Sequence, residues 1–326
     1  MSGTDRPLDV FDEIRSACRA VAERARFVRV EQGRIPGYAR GLPLSALRPP
    51  GYDTDHHFVG DEAETVAYVV TLDAVNFGSG YFPHLSKRPS MSGYYSIASA
   101  LTDRYRQQGP LDAEELAQIG TADCARLFDQ TLDSEPIEEL MSLFARAWND
   151  LGAHLLGSFE GRFSGLIDAA DGSAARLIEL LAQQPFFRDV SVYPGIEVPF
   201  YKRAQILASD LALACRDAGP GQFRDLDRVT IFADNLVPHV LRLDGLLRYD
   251  DGLLGRIERG ELILPGSQEE VEIRACAVHA VEEIAKCLRT SGQPVTSREL
   301  DILLWTRGQS PRFKAKQRHR TRSVFY

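Results

Sequence analysis

Phe11, Ile14, Cys18, Val21, Ala25 and Val28 recur at three- and four-residue steps, which predicts an amphipathic helix from about Leu8 to Val30. Residues 33–63 break that pattern. They are rich in Gly, Pro and Asp, include GLPLSALRPPGYDTDHHF, and read as a long loop or a set of short turns. In ETVAYVVTLDAVNFGSGYFP, residues 64–83, Val66, Tyr68, Val70 and Leu72 alternate within a β-branched run. A strand and a buried helix both fit, because periodicity does not separate them in so short an apolar run. The run breaks at NFGSGYFP and leaves Asn76 and Phe77 at the element's end, where they can face a pocket. Turn formation alone also accounts for Asn, Gly and Ser there. A helical pattern resumes after Gly93, with Tyr94 and Tyr95 as core or rim side chains.

From Asp112 to Gln184 the spacing predicts successive helices, broken near residues 121–123, 134–136 and 171–173. Trp148 and His154 lie on their apolar stripe and read as architecture. Alternation over Asp189–Val198 predicts a hairpin turning at Pro194-Gly195. Tyr201, Lys202 and Arg203 then open a helix. Two cations in a first turn oppose the helix dipole, and a bound phosphate would offset that. The plainer reading is a Lys and an Arg snorkelling at the surface. In TIFADNLVPHVLRLDGLLRYD, residues 230–250, a short apolar run ends at Asp234, and Pro238 starts a new helical pattern. Asp234 is thus placed at a helix mouth, near unsatisfied N–H groups, where an ordinary N-cap is the simplest role. SQEEVEIRACAVHAVEEIAKCLR predicts a long helix with Val271, Ile273, Ala277, Val281, Ile284 and Leu288 inward. Glu269, Glu270 and Glu272 sit in its first turn, as the dipole prefers. The next helix carries Asp301 among Leu300, Ile302, Leu303, Leu304 and Trp305. A carboxylate in such company is costly unless it is exposed, paired or used. The basic tail closes on Val324, Phe325 and Tyr326, which can pack.

Composition narrows the class. The 326 residues are 44% hydrophobic and 26% charged, ordinary for a soluble globular protein. A net charge of −8 argues against a general duplex-DNA binder, whose affinity rests on Lys and Arg neutralising phosphates. It leaves room for a small phosphorylated ligand. Cys18, Cys124, Cys215, Cys276 and Cys287 are scattered, with no CxxC pair, and read as reduced thiols in a cytoplasmic protein without a zinc site. His56 and His57 are adjacent but lack the spaced partners of a metal site. No signal pattern or membrane-length apolar run is present in the sequence.

LDAVNF (72–77), SGYYSIASAL (92–101), RDVSVYPGIEVPFYKRAQILASD (188–210), FADNLVPHVLRLDGLLRY (232–249), QEEVEIRACAV (268–278), LDILLW (300–305) and HRTRSVFY (319–326) together resemble the queuosine salvage protein family, the queuosine 5'-phosphate N-glycosylases. The resemblance covers most of the chain, and its blocks keep their order. It implies a mostly α protein with small β elements, similar to helix-hairpin-helix DNA glycosylases but without their duplex-binding surface. The whole of 1–326 then reads as one globular hydrolase unit, divisible into an N-terminal subdomain 1–110 and a helical catalytic part 111–326. The implied reaction is hydrolysis of queuosine 5'-monophosphate to queuine and ribose 5-phosphate, with no metal or organic cofactor. No stable nucleic-acid complex or membrane partner is implied. Two departures stand out. GSGYF follows the Asn–Phe pair where the family often has a Trp, so Tyr81 is the substitute. Ile302 and Thr306 stand where an aromatic and an acid are frequent.

The residue types suit that chemistry. Cleavage of a C1'–N bond passes through an oxocarbenium-like sugar, which a carboxylate can stabilise while it orients water. A second carboxylate can accept the N–H donors of a 7-deazaguanine. The resemblance favours Asp301 as nucleophile or cation stabiliser, with Asp234 and Phe232 on the base; the residues leave the reverse open. Lys202 is the phosphate or leaving-group candidate. Asn76, Phe77, Tyr201, Arg203, Ile302, Trp305 and His57 complete the candidate substrate-binding set. Two rivals remain: a DNA-repair glycosylase, which the acidity opposes, and a queuine or nucleotide carrier that binds without turnover.

Overall fold

The computed structural model describes residues 9–47 and 51–326. Leu8 and the RPP of residues 48–50 lie outside the described residues. The described chain is mostly helical, with two small antiparallel two-stranded sheets. It divides into two compact units. One gathers Met1–Leu47, Val190–Phe200 and Asp227–His319; the other gathers Arg48–Asp189, Tyr201–Leu226 and Arg320–Tyr326. Both are discontinuous in sequence.

The first unit is built on the helix Gln268–Thr290, capped by the Ser267 side chain. All six positions expected to face inward are buried. Helices Val10–Ala22 and Ile35–Gly41 pack on it. The first helix ends at Ala22, short of Val30, and Val28–Val30 is instead a strand paired with Leu247–Tyr249. A hub carboxylate explains the difference. Glu272 Oε2 accepts the backbone N–H groups of Arg26 (3.0 Å), Phe27 (2.6 Å) and Val28 (3.0 Å), and Oε1 accepts from Tyr193 O–H (2.8 Å). Donors that a helix would use internally are captured by a side chain distant in sequence. Glu272 is therefore buried, and so is Glu270, which accepts from Gly266 N–H at 3.2 Å and meets Arg274 at 3.5 Å. The hairpin Val190–Tyr193/Ile196–Pro199 turns at Pro194-Gly195, as the alternation predicts.

In the second unit, residues 64–74 lie in a helix, Glu62–Ala74, started by a reciprocal cap between Asp61 and Glu64. Every residue from Thr65 to Ala74 is buried. A helix buried all round has no polar face, so its sequence carries no 3.6-residue period to read. The 25-residue helix Glu135–Phe159 packs beside it, and Trp148 Nε1 donates to the Thr71 carbonyl at 2.9 Å. The chain's last residues are packed: Tyr326 is buried and its carbonyl accepts from Gly78 N–H at 3.1 Å. Gly80 permits this approach, since a Cβ there would lie 2.2 Å from the Thr321 carbonyl oxygen. In the expected loop of residues 33–63, the helix Ile35–Gly41 is an addition that Pro36 helps to start.

Candidate active site

In the first unit, an irregular segment runs from Thr230 into the short helix Val237–Leu243. Its backbone is pinned by side chains of two other helices. Phe232 N–H donates to Asp301 Oδ1 at 2.9 Å, and the Ala233 carbonyl accepts from Arg274 Nε at 2.9 Å. Asn235 Nδ2 donates to the His319 carbonyl at 3.4 Å. Asp234, between Ala233 and Asn235, is half-buried. Its Oδ1 accepts the N–H groups of Leu236 (2.7 Å) and Val237 (3.2 Å), the helix-mouth position expected from the sequence. Both bonds fall on one oxygen, so they lock the side chain's rotamer while the group keeps exposed surface. Asp301, on the helix Ser297–Gly308, is only 4% exposed. Trp305 lies about one turn on, on Asp301's side of that helix, whereas Ile302 is rotated away by about 100°. Both are half-buried, and Phe232 is buried. Thus Phe232 and Asp234 lie on one segment that Asp301 pins, and Trp305 lies about one turn along Asp301's helix.

Arg274 gives no signal as a site residue in sequence reasoning. It is fully buried, stacks over the Phe200 ring at 3.9 Å and meets Glu270 at 3.5 Å. Burial, with Arg274 and Arg318 nearby, pushes the His319 imidazole down to about 3. It is a neutral ring beside the segment.

In the second unit, Lys202 and Arg203 are 5% and 2% exposed, which corrects the expectation of surface cations. Tyr201, at φ +46°, turns the chain into the helix Lys202–Ala214. A left-handed non-glycine residue is a strained choice that the surroundings must hold. Asp189 does so: its carbonyl accepts from Tyr201 N–H (3.3 Å) and its Oδ2 from Lys202 N–H (3.1 Å). Lys202 Nζ donates to the Asn76 carbonyl at 3.3 Å. The Arg203 guanidinium donates to the carbonyls of Asp73, Ala74 and Phe186, and sits 4.8 Å from the Phe77 and Phe187 ring centres. The Arg203 guanidinium and the Phe77 ring thus pack against each other. His57 is buried. Its Nδ1 donates to the Asp53 carbonyl (2.8 Å) and its Nε2 accepts from Tyr94 O–H (2.8 Å), while burial lowers its pKa. Among the described residues no group of three His, Cys, Asp or Glu side chains could hold a metal. A separate surface groove of about 310 Å³ holds none of these residues; its Asp244 is engaged by Tyr38, Arg307 and Arg312.

Residues 56–326 match the family model described as queuosine salvage protein. The chain belongs to that family. A queuosine 5'-phosphate N-glycosylase/hydrolase of Sphaerobacter thermophilus is 37% identical over 313 residues, covering 94% of this chain and 96% of the relative. Proteins of the same name from Bos taurus (30% over 336 residues, 96% and 98% covered) and Schizosaccharomyces pombe (30% over 299 residues, 85% and 86% covered) are also similar. The match to the queuosine salvage family includes every candidate residue above, from His57 to Trp305.

Proposed function

We propose that this chain hydrolyses the N-glycosidic bond of queuosine 5'-monophosphate, releasing queuine for tRNA modification together with ribose 5-phosphate. Membership of a family whose relatives are named for that reaction carries the reading. The pinned segment supplies the chemistry. Asp234, half-buried and held by two helix-mouth N–H groups, is the carboxylate with surface left to approach an anomeric carbon. There it would stabilise the oxocarbenium-like sugar and orient the attacking water. Asp301, buried and held by Phe232 N–H, suits the base edge, where a deep acceptor excludes water from N–H donors. This reverses the division favoured by resemblance, because a carboxylate buried as deeply as Asp301 has less surface to offer sugar and water than Asp234. Phe232 and Trp305 offer rings for the deazaguanine face. Lys202 remains the phosphate or leaving-group cation.

The reading treats 1–326 as one hydrolase unit, similar in fold to helix-hairpin-helix glycosylases, acting on a small nucleotide in the cytoplasm without a stable nucleic-acid complex. No helix among the described residues is long and apolar enough to cross a membrane. Incubating the protein with queuosine 5'-monophosphate and separating products by chromatography tests it. Queuine and ribose 5-phosphate in equal amounts are expected. Recovery of intact nucleotide in stoichiometric complex would instead identify a carrier, and release of a damaged base from duplex DNA a repair glycosylase.

A further inference from the structure

Asp73 plays no part in the chemistry above, yet it is a fully buried carboxyl. It lies in the last turn of the helix Glu62–Ala74 and is 0% exposed. A helix C-terminus disfavours negative charge, and burial disfavours it further. Oδ1 accepts from Asn76 Nδ2 at 3.1 Å, while Oδ2 is buried with no hydrogen-bond partner. Burial first, then Asp210, raise its pKa well above the carboxylate range; Asn76, Lys202 and Arg203 oppose this. Tyr94, from the helix Gly93–Gln108, and Tyr52 feel both Asp73 and Asp210.

An acid kept at such a place is held for something it does to its neighbours. The hydrogen bonds trace what that is. Asp73 holds the Asn76 side chain just beyond the helix end, and the Asn76 carbonyl holds Lys202 Nζ. The Asp73 carbonyl is tied back to Arg203, the residue after Lys202. Asp189 meanwhile fixes the Lys202 backbone from the other side.

We infer that Asp73 is a positioning residue: by fixing Asn76 it aims the carbonyl that sets where the Lys202 ammonium stands. Asp73 is itself too buried to touch a ligand, so it acts through Lys202. Its effect on substrate rests on the reading of Lys202 as the phosphate cation. Misplacing such a group by about 1 Å can change rates by up to about 10²-fold.

The test is a kinetic cycle with queuosine 5'-monophosphate and queuosine, using Asp73→Ala, Asp73→Asn, Lys202→Ala and the Asp73→Ala/Lys202→Ala pair. Asp73→Ala should raise KM for the monophosphate about tenfold and leave KM for the nucleoside within about twofold. Asp73→Asn, whose amide oxygen can still accept from Asn76, should restore most of the loss. In the Lys202→Ala background Asp73→Ala should add nothing. If Asp73→Ala does not fold, Asp73→Val, which fills the space without an acceptor, takes its place in the cycle. Additive effects in the double variant, or no rescue by Asn, would overturn the inference. If Lys202→Ala alone weakens both substrates equally, the phosphate reading of Lys202 fails. Asp73 is then still judged by additivity with Lys202, so the two failures are distinct.

Discussion

Acid should destabilise this protein through His239, in a pH window that the ring's partners define. His239 is 2% exposed on the helix Val237–Leu243, directly after the pinned segment. Arg242 Nη2 lies 3.2 Å from its Nδ1, and the Phe313 carbonyl 2.9 Å from its Nε2. A guanidinium can only donate, so Nδ1 must accept and Nε2 must carry the proton. A second proton would set N–H against N–H and bury a charge. Burial, then Arg242 and Arg318, bring the pKa to about 4, although the bond to Phe313 opposes them. The folded pKa is below the unfolded value of about 6.5, so the unfolded chain binds the extra proton first. The stability is present above about pH 6.5 and is lost as pH falls toward 4. A displacement of about 2.5 units at about 1.4 kcal/mol each is about 3.5 kcal/mol, or one proton's slope of about 1.4 kcal/mol per pH unit. Urea unfolding of wild type and His239→Gln from pH 7.5 to 4.5 reads this directly, since Gln can still donate to Phe313. The variant's stability should fall less steeply by about one proton's slope. Parallel lines for the two proteins would refute the reasoning.

Glu272→Gln leaves a single oxygen where a carboxylate accepts from three backbone N–H groups and Tyr193, and should lower stability by about 2–4 kcal/mol in chemical unfolding. Arg203→Met strips donors from three buried carbonyls and should cost about 3 kcal/mol or more, whereas a surface cation would change it by less than about 0.5. Gly80→Ala drives a methyl into the Thr321 carbonyl and should release the C-terminal segment to limited proteolysis at lower protease concentration than wild type.

Elements with a polar face were legible in the sequence. The Gln268–Thr290 helix, the Val190–Pro199 hairpin and the helix mouth at Asp234 stand where periodicity and turn residues put them. What was not legible depends on partners remote in sequence. The first helix stops early because Glu272, some 245 residues away, takes the N–H of Phe27. The Glu62–Ala74 helix hid because burial on every side erases its period. At the site, the two acids could be picked out as carboxylates bordering apolar runs. Arg274 and Asp73 could not, since a charge inside a helix looks the same whether it meets water or a buried carbonyl. For the same reason the sequence left Arg203 readable as a surface cation, whereas it is buried.

The central claim divides labour between Asp234, on the pinned segment, and Asp301, which pins it from a neighbouring helix, and one paired measurement tests it. Single-turnover hydrolysis of queuosine 5'-monophosphate and calorimetric binding of queuine are compared for Asp234→Asn and Asp301→Asn. Removing a charge preorganised at a developing cation typically costs about 10²–10³ in rate. Asp234→Asn should therefore lose that much turnover while binding queuine, which has no sugar, within a few-fold of wild type. Asp301→Asn should weaken queuine binding by about tenfold or more, because a buried acceptor for the base edge is gone. Lost queuine binding in Asp234→Asn with intact binding in Asp301→Asn would contradict the account.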